Sequence, residues 1–202
     1  MLHKKAVGPR LLELIDFLMQ QPDLNRFVLV GGTALALQIG HRVSVDADLF
    51  GIQPLEDLDL AGILAEFGPV SELKRSKSIQ VFSVNSIKVD IVNYRYPLLR
   101  PIHSVSQIRM ASLEDIGAMK LNAIAGRGSR KDFIDLYFLL QQFKLAEIIE
   151  FYSQKYTDGS AFMVIKSLLY FEDAEKEEVP QMLQPVLWEA IKEYIANEVL
   201  KL

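Results

Sequence analysis

Residues 31–50, GGTALALQIGHRVSVDADLF, constrain the chain more than any other stretch. Within 43–50 the apolar Val43, Val45, Ala47 and Leu49 alternate with Ser44, Asp46 and Asp48. A period of two predicts a strand over 43–50 with both carboxylates on one face, about 7 Å apart. Asp is a poor strand former, and paired charges on a sheet face are costly unless a cation neutralises them. Mg²⁺ suits such a pair, because it takes one or two carboxylates and completes its shell with water and phosphate oxygens.

Ahead of the acidic pair, the apolar run 27–30 reads as a short buried strand that ends directly in Gly31-Gly32. Glycines at a strand-to-helix turn let the backbone approach a phosphate, and the helix that follows offers its free N–H groups to an anion. Thr33 can cap that helix or add a hydroxyl contact. Residues 34–39 then give about two turns of helix, stopped by Gly40, and His41-Arg42 form a basic step before the acidic segment.

A third carboxylate stands on a comparable strand. In 87–94, Ile87, Val89 and Ile91 form one face, and Lys88 and Asp90 the other. Between these segments, 55–67 reads as a helix with acids near its start, and 70–77 and 79–84 as strands, with Asn85-Ser86 as a hairpin turn. Residues 98–110 read as a linker with one edge strand. Beyond them Ser112 caps a helix to about residue 125, which carries Lys120. A second helix from about 129 carries Asp132 and Asp135, neighbours at i and i+3. Lys120 and Arg127 could simply pair with those acids, an arrangement that can also hold a site in place. Helices are expected at 9–20, 144–155, 160–171 and 183–200, with 172–178 an exposed acidic loop and Trp188 in the core.

These motifs resemble a known family. GGTAL, then GHR, then S-x-D-x-D-L-F, with K-L-x-A-I-x-x-R-G-S-R-K-D-F-I-D-L downstream, is similar to the AbiEii-type nucleotidyltransferase toxins of the polymerase β-like superfamily. The resemblance implies an α+β fold: a palm with a mixed sheet over 1–110, then a helical region over 111–202 that completes the nucleotide site. It implies transfer of a nucleoside monophosphate from a nucleoside triphosphate to a hydroxyl of RNA (tRNA included) or protein, and a cognate antitoxin as partner. Asp46, Asp48 and Asp90 would hold two Mg²⁺ ions. Lys120 and Asp132 join them as catalytic residues. Gly31, Gly32, Thr33, Arg42, Ser44, Arg127 and Asp135 would bind substrate. Read without the family, the residues also admit a metal-dependent nuclease, or a nucleotide- or RNA-binding module that does not catalyse.

Charge distribution bears on the acceptor. The net charge is −4, yet residues 70–131 hold eleven basic and four acidic residues, a local excess suited to a polyphosphate or nucleic acid. With no cysteine, disulfides and thiolate metal sites are excluded, and the cytoplasm is the expected compartment. Glu13 and Asp16 interrupt the apolar N-terminal run, so it reads as an amphipathic helix and not a signal peptide. No membrane span is expected.

Overall fold

The computed structural model describes residues 2–202, and it divides them into two compact units. The first runs to Pro97 and includes Ile102–Ala111. The second comprises Leu98–Pro101 and Ser112–Leu202. Among the described residues there are seven strands and eight α-helices, and no helix is long and apolar enough to cross a membrane.

The first unit is an α+β sheet domain. Helix α1 (Pro9–Gln20) begins with Pro at its first position, where the missing N–H costs nothing, and it buries Leu11, Leu14, Ile15, Leu18 and Met19. Strand β1 (Phe27–Leu29) leads through Val30 into α2 (Gly31–Ile39), which ends at Gly40 in the left-handed conformation. Strand β2 (Ala47–Gly51) returns antiparallel to β1. After α3 (Leu60–Ala65) come β3 (Val70–Arg75), β4 (Ile79–Val84) and β5 (Ile87–Asn93), a meander whose last strand lies parallel to β2. Asn85 and Ser86 both take positive φ, as a tight two-residue hairpin turn requires. Strands β6 (His103–Val105) and β7 (Ile108–Met110) complete a mixed sheet of order β3-β4-β5-β2-β1-β7-β6. Inward-facing Phe82, Val89, Ile91 and Leu49 are at most 1% exposed, each contributing about 2 kcal/mol by burial.

Several expectations are corrected. The strand expected at 43–50 starts only at Ala47; before it, Ser44 makes a single bridge to Val7, and Val45 is 67% exposed instead of lying on an apolar face. The helix expected at 55–67 is a 3-10 turn followed by α3, because Asp59 accepts the Gly62 N–H at 2.9 Å and restarts the helix. Residues 98–110 contain the β6–β7 hairpin. Its turn, Ser106-Gln107, takes positive φ with neither Gly nor Asn to announce it.

The second unit is helical: α4 (Leu113–Gly126), α5 (Arg130–Leu139), α6 (Leu145–Lys155), α7 (Ala161–Ser167) and α8 (Trp188–Val199). Helix α8 begins five residues later than expected, since Pro185 cannot lie inside a helix. Trp188 is half-buried, not a core residue, and packs edge-on against Phe133 and Phe171. Asp115, fully buried, accepts hydrogen bonds from Leu99 N (2.9 Å), Arg100 N (3.2 Å), Ser112 Oγ (2.9 Å) and Lys155 Nζ (2.7 Å). It thereby binds the short Leu98–Pro101 segment to these helices.

Candidate active site

The parallel pairing of β2 with β5 sets Asp48 directly beside Asp90. Both are half-buried and project from the outer face, opposite the apolar side chains at Ala47, Leu49, Val89 and Ile91. Lys88 Nζ lies 2.7 Å from the Asp90 carboxylate and forms an ion pair with it.

Asp46 lies just ahead of β2, and its position comes from α2. The buried Thr33 hydroxyl donates to the Asp46 carbonyl, and Ser44 Oγ, 2.8 Å from Thr33 Oγ1, supplies the other hydrogen bond. Thr33 and Ser44, expected to touch phosphate, therefore use their hydroxyls on the loop before β2. The backbone there is held by a helix side chain instead of a strand neighbour, which explains the late start of β2.

Gly31 and Gly32 open α2, with Val30 in extended conformation ahead of them and no side-chain cap. Their N–H groups are among the unpaired donors of a helix start. Gly31 has φ +66°, and a Cβ there would sit 2.6 Å from Asp48 Oδ2. The helix start thus rests against the Asp48 carboxylate, as only glycine permits. Gly31→Ala is expected to cost about 1–2 kcal/mol for the left-handed backbone and to displace Asp48, measurable as a lower melting temperature.

Arg42, expected to neutralise phosphate, is 4% exposed and donates from Nη1 to the Val43 carbonyl at 3.1 Å. His41 beside it is fully buried. The basic step is interior, and one Arg42 nitrogen is spent on the loop between α2 and β2.

The second unit gathers the remaining candidates into one network. Lys120 Nζ on α4 lies 2.9 Å from Asp132 Oδ1 and 2.6 Å from Asp135 Oδ2, both on α5. Arg127 Nε donates to Asp132 Oδ2 at 2.8 Å and Ser129 Oγ to the same oxygen at 2.6 Å. Burial would push the Asp132 carboxyl up, but Lys120, Arg127 and Ser129 together hold it well below the ordinary carboxylate range. Arg127 exposes 63% of its side chain, whereas Lys120, Asp132 and Asp135 expose 6% or less. The Lys120 ammonium, expected at substrate phosphate, is already engaged by two buried carboxylates.

The first unit's residues can be tested against a divalent metal. Asp48 and Asp90 offer hard oxygen ligands side by side, and the absent Cβ of Gly31 leaves room at Asp48. This pair fits a hard cation. Among the described residues, however, no three His, Cys, Asp or Glu side chains converge on a single point, so the expected three-carboxylate cluster with Asp46 is not assembled. Aromatic residues share the carboxylate face: Phe50 stands two residues from Asp48 and Tyr94 four from Asp90, the period of that face.

Comparison with known proteins supplies the context. Residues 14–200 match the family model of the nucleotidyl transferase AbiEii toxin, type IV toxin–antitoxin system. An uncharacterized protein of Aquifex aeolicus (strain VF5) is 38% identical over 181 residues, covering 87% of each chain. Among solved structures, JHP933 from Helicobacter pylori superposes with a TM-score of 0.61 at 18% identity, covering 95% of this chain and 88% of its own. MenT4, a nucleotidyltransferase toxin from Mycobacterium tuberculosis H37Rv, superposes with a TM-score of 0.58 at 16% identity, covering 95% and 82%.

Proposed function

The chain belongs to the AbiEii nucleotidyl transferase toxin family, and on that premise we propose that it moves a nucleoside monophosphate from a nucleoside triphosphate to an RNA hydroxyl, with the chemistry centred on Asp48 and Asp90. The observation that carries this reading is the register of those two carboxylates, side by side and against the open start of α2. Nucleotidyltransferases generally use divalent metal ions, and Mg²⁺ is the ion proposed here. Asp48 and Asp90 would hold it, with Asp46 at the edge of the site. When bound, such a cation neutralises phosphate charge and favours loss of the acceptor proton.

The protein's own part is positioning. The N–H groups of Gly31 and Gly32 would receive phosphate oxygens, aided by the helix dipole. Thr33 and Ser44 set the backbone at Asp46. Lys88 shares its charge with Asp90. In the helical unit, Lys120, Asp132 and Asp135 are proposed to frame Arg127, whose exposed guanidinium suits a phosphate.

RNA is favoured over protein as acceptor by a row across the sheet. Asp48 pairs with Asp90, Asp90 with Val81 and Val81 with Lys74, so exposed Lys74 shares the face of the carboxylates. A cation there can take a backbone phosphate. A nuclease would need the carboxylates but not the phosphate-receiving turn at Gly31. An antitoxin partner is proposed from the family description alone.

The direct test supplies purified protein with each labelled nucleoside triphosphate, Mg²⁺ and total cellular RNA. Label is expected in RNA, and the nucleotide that delivers it names the donor. Label in protein would move the acceptor to a protein hydroxyl. RNA cleavage without added triphosphate would replace the reading with a nuclease.

A further inference from the structure

An aromatic row stands on the carboxylate face. Phe50 follows Asp48 by two residues on β2 and so shares its side of the sheet. Its strand partner is Val92, itself two residues from Asp90. Just past β5 the Tyr94 N–H bonds to the Gly51 carbonyl at 2.7 Å, which extends the pairing and holds Tyr94 in line with Asp90 and Val92. The Phe50 and Tyr94 rings lie 4.8 Å apart, and Tyr94 and Tyr96 meet edge-on at 5.5 Å. The Arg95 guanidinium stands 4.6 Å over the Tyr96 ring. Phe50, Tyr94 and Tyr96 are half-buried and Arg95 is exposed. Phosphate groups at the carboxylates need none of these rings. A base attached to those phosphates does.

We infer that Phe50, Tyr94, Tyr96 and Arg95 form a stacking platform for the nucleobase of the nucleoside triphosphate. The inference rests on the transferase reading of Asp48 and Asp90. Phe50 lies about 7 Å along β2 from Asp48, a step comparable with the ribose that separates a base from its α-phosphate. Aromatic faces and an arginine plane accept any base, because every base has a π-face. The platform therefore supplies affinity more than choice of base.

The test is calorimetric binding, in Mg²⁺, of each nucleoside triphosphate, of inorganic tripolyphosphate as a base-free probe, and of a short single-stranded RNA. Tyr96→Leu and Tyr94→Leu are expected to weaken binding of all four nucleoside triphosphates about tenfold, the usual worth of one stacked base. Tripolyphosphate binding should be unchanged, and Tyr94→Phe and Tyr96→Phe should restore the nucleotide. Equal weakening of nucleotide and tripolyphosphate would overturn the platform, reducing the rings to supports for the fold. So would weakened RNA binding with unchanged nucleotide binding, which would assign the rings to the acceptor. If the native protein binds neither nucleotide nor tripolyphosphate, the transferase reading itself fails. If it binds both and the leucine variants bind like the native protein, only the platform fails.

Discussion

Asp48→Asn is expected to lower nucleotidyl transfer about a thousandfold, in line with the loss of one preorganised charge in an active site, and to leave the protein at least as stable as before. The two halves of this expectation have one cause. Asp48 and Asp90 are register partners on adjacent strands, and like charges directly opposite one another destabilise a sheet. A structural role would make removal of one charge harmful; a catalytic role makes the pair a cost that the fold carries for function. Asparagine keeps the volume and therefore tests the charge alone. Asp90→Asn offers the contrast. Its charge is partly balanced by Lys88 at 2.7 Å, so activity should fall as steeply but without a gain in stability. Thermal melting beside the labelling assay reads both quantities. An Asp48→Asn protein that melts normally and still transfers label would remove Asp48 from the chemistry.

What could be read in advance differs from residue to residue, for physical reasons. The strand bearing Asp90 was legible because its alternation is unbroken and its carboxylate stands on the polar side. The level pairing of Asp90 with Asp48 was not, since a parallel register across a long connection leaves no local trace. The alternation at 43–50 overreached by four residues. Val43 and Val45 continue the pattern, but the Thr33 hydroxyl, donating to the Asp46 carbonyl, holds that backbone outside the sheet. Sequence places Thr33 at a helix start and cannot say which way its oxygen points. Arg42 likewise looked available for phosphate, but it is interior. Phe50 and Tyr94 carried a usable signal, the period of the carboxylate face, which aromatic composition alone does not reveal.

The network in the helical unit carries the other large effect. Lys120→Met is expected to destabilise that unit by about 3 kcal/mol, because removing one partner of a buried ion pair leaves its counter-charges uncompensated. Here two carboxylates, Asp132 and Asp135, both fully buried, would face each other with Arg127 as the remaining cation on Asp132. Trp188, the chain's single tryptophan, stands 6.1 Å from Phe133, next in sequence to Asp132, so its fluorescence reports unfolding of this region. Acid supplies the sign. The folded Asp132 carboxyl is held well below its ordinary value. Its contribution is therefore complete above the unfolded carboxylate value of about 4 and is lost progressively as pH falls below it. Lys120 is the largest of the influences that lower it, so the Lys120→Met protein should lose less stability between about pH 4 and pH 2 than the native protein does. A second change, Asp135→Leu in the Lys120→Met background, removes one of the two buried charges that Lys120 neutralised and should recover part of the loss. Equal acid sensitivity in native and Lys120→Met proteins would show that the pair does not set the stability of α4 against α5, and would return the Lys120 ammonium to the role expected from sequence, a contact for substrate phosphate.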